Sequence, residues 1–253
     1  MKNVWKGILL AVVLALAGLG PALAATSLQI DKSRVEISAF YNGTVIRATG
    51  AVPAGAEAVV RVSGKPETLH LKKKGKAAGV LWMNVGDLTF ANAPKVYMLY
   101  SSDKDGALFG KPELEFSYGA LERRVEIEPA GEDKGFWFGE FLKLKKENKV
   151  YAEYPGAIVW DEESAAGRTF HVDLVIPPRM GEDDYSIDLY AVKDGAIVGT
   201  ASRKLEIRQV GFPKKLTSLA FDHALLYGVF SVLIAVAAGL LMGVLFKDKG
   251  GAH

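Results

Sequence analysis

From Ala224 to Phe246 the chain runs for 23 residues without a charged side chain. Asp222 and His223 close this run on one side, and Lys247-Asp248-Lys249 on the other. A bilayer core offers no water to backbone groups, so a segment of this length and composition satisfies them internally, as a transmembrane helix with some tilt.

A second apolar stretch opens the chain. Lys2 and Lys6 precede the uncharged run Gly7–Leu19, Gly18, Gly20 and Pro21 break the helix, and Ala22-Leu23-Ala24 supplies small residues. This is the pattern of a signal peptide, with cleavage expected after Ala24. It would carry residues 25 to about 220 across the cytoplasmic (inner) membrane until the 222–246 helix stops transfer. The bulk is then periplasmic and the tail 247–253 cytoplasmic, in a single-pass protein. Lys247 and Lys249 suit the inner side, whereas Arg208, Lys214 and Lys215 stand on the outer one. A long translocated domain crosses largely regardless of its charge.

The whole chain has 31 Lys and Arg against 29 Asp and Glu. Losing residues 1–24 removes two lysines and no acid, which balances the charges and leaves no electrostatic case for nucleic acid. Cysteine is absent. That excludes disulfides, lipoprotein acylation, thiol nucleophiles and Cys-based metal sites.

Between the apolar runs, many short segments alternate apolar and polar residues, which predicts strands with one buried face. Arg34–Tyr41, Asn42-Gly43 and Thr44–Gly50 read as a hairpin. Ala58–Ser63, Thr68–Lys72, Gly79–Val85 and Lys95–Ser101 follow at sandwich-like spacing. Phe170–Ile176, Tyr185–Leu189, the turn Lys193-Asp194-Gly195 and Leu205–Ile207 complete the set. The segment Glu132–Asn148, with Phe136, Trp137, Phe138, Phe141, Leu142 and Leu144, predicts a short amphipathic helix. It would either plug one end of a sandwich or lie on a membrane or partner. The expected class is mainly β: exported immunoglobulin-like β-sandwich modules with a short amphipathic helix, plus one C-terminal transmembrane helix. The expected division is 1–24 signal peptide, 25–101 first β module, 102–149 junction, 150–212 second β module, 222–246 membrane helix and 247–253 tail.

No motif carries chemistry. His70, His171, His223 and His253 make no ligand spacing. His171 and Asp173 share one strand face, with no third group assigned. Gly106–Lys111 departs from a P-loop in spacing and has Pro112 where Ser or Thr belongs. No GxSxG occurs. Asp161-Glu162-Glu163 and Glu182-Asp183-Asp184 lack calcium-loop spacing. Lys72-Lys73-Lys74 with Lys76 suits either a charged hairpin tip or anionic lipid. In the membrane run, Ala224, Gly228, Ser231, Ala235, Gly239 and Gly243 form one stripe of small residues, the pattern that lets two helices approach closely.

The chain resembles a family described as putative transmembrane proteins of the alphaproteobacterial type (Alph_Pro_TM). The resemblance rests on Ile37–Gly43, Gly79–Asn84, Val96–Tyr100, the aromatic helix ending at Val150-Tyr151, Tyr185–Gly195, and Val210-Gly211-Phe212 leading to Leu226-Tyr227-Gly228. It implies no catalytic residue. It implies an accessory role beside a permease resembling sulfite exporters. Three functions are weighed. The first is a non-enzymatic accessory or scaffold protein without cofactor, docking another membrane protein or itself through the stripe. The second is a periplasmic ligand-binding or sensor module with a pocket around Trp82, Trp137 and Trp160. The third is a hydrolase with a dispersed site including His171.

Overall fold

The computed structural model describes residues 26–77, 80–131, 133–165 and 167–246. The expected signal peptide, its cleavage site and the tail 247–253 lie outside these residues. The described chain forms two compact units. One holds the residues up to Val35 together with Asn42–Ile207, and the other joins Glu36–Tyr41 to the chain from Arg208 onward.

The first unit is mainly β. One sheet has the order β1 (Ser27–Ile30), β3 (Thr44–Pro53), β11 (Gly167–Ile176), β10 (Val159–Glu163). A six-stranded sheet has the order β2 (Arg34–Ile37), β13 (Ala196–Gln209), β12 (Asp183–Lys193), β4 (Glu57–Ser63), β7 (Tyr97–Ser101), β9 (Tyr151–Tyr154). The third comprises β5 (Pro66–Ala77), β6 (Leu81–Pro94) and β8 (Glu126–Glu128). Alternation does what the sequence predicts. Ile46, Ala48 and Val52 of β3 and Phe170, Val172, Leu174 and Ile176 of β11 are all buried. Their neighbours of opposite parity face out. The Val175 N–H donates to the Tyr100 hydroxyl at 3.0 Å, which ties β11 to β7.

Two expectations need correction. Thr44–Gly50 does not fold back on Arg34–Tyr41. Instead β3 pairs with β1 and β11, while β2 flanks β13. The local Asn42-Gly43 turn signal loses to the longer apolar match with β11, whose ten-residue register runs from Thr44↔Ile176 to Pro53↔Gly167. Residues 25–101 and 150–212 are likewise not separate β modules. Strands from both enter the same two sheets: β3 with β11, and β4 with β12. The pairings do not establish an immunoglobulin-like order either, since β7 and β9 run parallel, whereas that fold is built of antiparallel sheets.

The stretch expected as a junction packs onto the β core. Helix α1 (Tyr118–Arg124) starts where the Ser117 side chain accepts from the Ala120 N–H, and α2 (Lys134–Glu147) where Asp133 accepts from the Phe136 N–H. Phe138, Phe141 and Lys145 form the buried face of α2. Phe141 stacks on Phe90 of β6 and meets the edge of Tyr151 of β9. The chain leaves α2 through Lys149 at φ 57°, a left-handed exit that ends the helix. Lys193-Asp194-Gly195 makes the predicted turn between β12 and β13, with positive φ at Asp194 and Gly195.

The second unit carries two helices, α3 (Gly211–Phe221) and α4 (Ala224–Phe246). Neither contains a buried residue.

Candidate interaction surfaces

Helix α4 is the predicted apolar run. It is long and apolar enough to cross a membrane, and it alone meets that description among the described residues. At 1.5 Å per residue it reaches about 34 Å, enough for a hydrocarbon core of about 30 Å. All six stripe residues, Ala224, Gly228, Ser231, Ala235, Gly239 and Gly243, lie on it and are exposed. A Cβ built on Gly228, Gly239 or Gly243 meets no atom within 4 Å. Ser231 turns its hydroxyl back onto the Tyr227 carbonyl at 2.8 Å, so its polar atom is satisfied within the helix.

The second surface is a β-ribbon. Strands β5 and β6 pair from Pro66↔Pro94 out to Ala77↔Leu81, far longer than the two short segments the alternation predicted. Its inner half is anchored: Leu88 and Phe90 are buried, and Lys73 Nζ lies 4.9 Å from the centre of the Trp137 ring on α2. Its outer half is not. Val80, Leu81, Met83 and Val85 are 49–79% exposed. In the pleat, Gly75, Leu81, Met83 and Val85 belong to one face, while Lys74, Lys76 and Asn84 belong to the other. Gly75 is a close-approach position, because a Cβ there would stand 2.9 Å from Val85 Cγ2. Four exposed apolar side chains at one ribbon end form a patch of the kind that marks interaction sites. Alternation at positions 81, 83 and 85 was visible in the sequence. Nothing local said that Leu81, Met83 and Val85 would be left uncovered.

The groups tested for chemistry are apart. His171 Nδ1 lies 2.5 Å from an Asp161 oxygen on β10. Asp173 instead receives two hydrogen bonds from Arg47, at 2.8 and 3.0 Å. The Arg47 hydrogen bond holds the Asp173 carboxyl below its usual range. The shared strand face therefore yields two separate pairs. Trp137 packs against Phe136 and Lys73, whereas Trp160 packs on Phe170 with Arg168 over its ring at 3.7 Å. The described side chains of the expected tryptophan pocket thus occupy different surroundings. Asp183 opens strand β12 and carries a structural load, held by Lys65 at 2.8 Å and Lys95 at 2.6 Å. Among the described residues no group of three His, Asp or Glu is placed to hold a metal.

One cluster escaped the sequence. Arg61 pairs with Asp188 at 2.8 Å, both largely buried, and its guanidinium lies over the rings of Tyr97 and Tyr190 at 5.7 and 5.1 Å. Arg61 also lines a cleft of about 560 Å³ with Arg123, Arg124, Glu126 and Tyr97. The four residues of the Arg61 cluster are scattered over β4, β7 and β12, so only strand pairing assembles them.

Among the described residues, a folded β unit is followed by one exposed apolar helix long enough to cross a membrane, the make-up of a membrane-associated protein. The chain belongs to the family described as "Putative transmembrane protein (Alph_Pro_TM)", whose model matches residues 26–248. Comparison with curated proteins and with solved structures gives no match.

Proposed function

We propose that this protein is a membrane-anchored accessory or scaffold protein, not an enzyme, whose β unit stands on the periplasmic face of the cytoplasmic membrane. The ribbon of β5 and β6 engages a partner, and the small-residue stripe of α4 packs against a helix of that partner or of a second copy. The observation that carries this reading is the ribbon's outer half, which holds Val80, Leu81, Met83 and Val85 out of the core. Leaving four such side chains in water forgoes roughly 1–2 kcal/mol or more each of burial energy that docking would recover. By the association noted for the family, the first partner to seek is a membrane transporter, such as a sulfite-exporter-like permease.

The test is site-specific photocrosslinking in native membranes. A photoreactive residue at Leu81 or Met83 should give a discrete adduct with one membrane protein, and the same residue at exposed Glu182 should not. If Leu81 and Met83 yield no more adduct than Glu182, the ribbon is not a docking element and the proposal fails.

A second reading, a ligand-binding module, draws on the cleft of Arg61, Arg123 and Arg124, whose guanidiniums suit a small anion. Thermal stabilisation by inorganic phosphate or sulfate, lost in Arg123→Gln, would favour it.

A further inference from the structure

Helix α3 has no tertiary reason to be apolar on one side. Phe212, Leu216 and Leu219 are spaced by four and three residues, which places them on one arc. Lys214, Thr217 and Ser218 fall on the opposite side, Lys215 borders the apolar arc, and the one large apolar residue off the arc is Phe221 in the last position, next to the break before α4. None of these residues is buried, and Phe212 is 69% exposed. The helix is a deliberate element. It begins at Gly211, with φ +69°, and Pro213 in its first turn costs no intrahelical hydrogen bond. It ends before Asp222, whose carboxylate accepts from the Ser218 hydroxyl at 2.8 Å.

What covers this arc follows from what comes next. Only Asp222 and His223 separate α3 from α4. Since α4 by itself is long enough to span the hydrocarbon, the break between the helices falls at headgroup depth, and α3 ends there. An amphipathic helix at that depth lies in the interface with its apolar side toward the acyl chains and its lysines toward lipid phosphates. A second observation points the same way. The Val210 N–H donates to the Ile37 carbonyl at 2.9 Å, which ties the entry of α3 to the segment carrying Phe40. Phe40 is 95% exposed, the extreme among the large apolar residues of the chain's described part. We propose that α3 is an interfacial helix. It docks through Phe212, Leu216 and Leu219 on the anionic lipid surface of the leaflet from which α4 enters the bilayer, with Phe40 as a second insertion beside it.

The chain has no cysteine, so single spin labels can be placed by one substitution each, with no native thiol to remove first. The full-length protein would be reconstituted in vesicles of phosphatidylethanolamine and phosphatidylglycerol, with a label at Val236 of α4 confirming the hydrocarbon core. Labels at Phe212→Cys, Leu216→Cys and Leu219→Cys should show an oxygen-to-nickel-chelate accessibility ratio several-fold above those at Lys214→Cys and Thr217→Cys. Phe40→Cys should join the first group. Uniform access of the nickel chelate to α3 would place the helix in water. Protection of the arc from both reagents would place it against protein. Either result overturns the proposal. The readout separates it from the accessory reading, because it needs no partner and does not involve the ribbon.

Discussion

Asp183 shows how one carboxylate can matter to the whole β unit. Its burial works to raise its pKa, but the Lys65 and Lys95 ammoniums and the Asp184 N–H prevail and hold it far below the usual carboxylate range. A depressed carboxylate contributes stability that is fully present above the unfolded value and is lost as pH falls through the folded one. Acidification from about pH 5 to below pH 3 should therefore lower the melting temperature of the wild type. Asp183→Asn should melt lower than the wild type at the higher pH and lose less on acidification. Equal acid sensitivity in the two proteins would show that the triad adds nothing. Lys145 is the converse case. Burial lowers its pKa, and Glu67 at 3.2 Å is what keeps the ammonium tolerable on the inner face of α2.

At the level of elements, the attachment of β1 depends on a missing side chain. A Cβ on Gly50 of β3 would lie 2.4 Å from the Ser27 carbonyl oxygen and 2.8 Å from the Phe170 ring. The backbone of β1 cannot yield without giving up its pairing with β3. Gly50→Ala should therefore destabilise the β unit by about 1–3 kcal/mol, the usual cost of overpacking. Gly86→Ala is the control, since its Cβ would meet only the Lys73 side chain at 4.0 Å. Chemical denaturation of both variants decides the matter, and matching midpoints would refute the argument. The same logic of close approach does not apply on α4, where the glycines meet nothing.

For the molecule as a whole, the open question is whether α4 anchors only or also binds. Gly239→Leu or Gly243→Leu would push apart any helix seated on the stripe and weaken association by about 1–2 kcal/mol. Membrane insertion should persist, because leucine makes the helix more apolar. Co-purification in mild detergent would compare these variants with Leu240→Ala, which removes bulk from outside the stripe. Retention of every partner by all three would reduce α4 to an anchor and leave interaction to the ribbon. This outcome is independent of the α3 experiment, which reports lipid contact on a different helix.

The sequence by itself determined whatever depends on near neighbours. The uncharged run gave α4, the alternation from Phe170 to Ile176 gave the buried face of β11, the aromatic spacing gave α2, and Lys193-Asp194-Gly195 gave its turn. In each case period and turn chemistry are local properties. The tertiary structure decided the pairings. Thr44–Pro53 chose Gly167–Ile176, more than a hundred residues away, over the adjacent Arg34–Tyr41. That choice rests on which faces can be buried together, and a strand's own alternation is silent on its partner. The two expected modules merged into shared sheets for the same reason. Arg61, Asp188, Tyr97 and Tyr190 form one cluster because the pairing of β4, β7 and β12 brings them together, and no spacing in the chain announces it. Whether an apolar alternation is core or surface was also undecided by sequence. Ile46 and Leu81 look alike there. Ile46 is fully buried and Leu81 stands in the open, because the rest of the chain packs over one strand and stops short of the other.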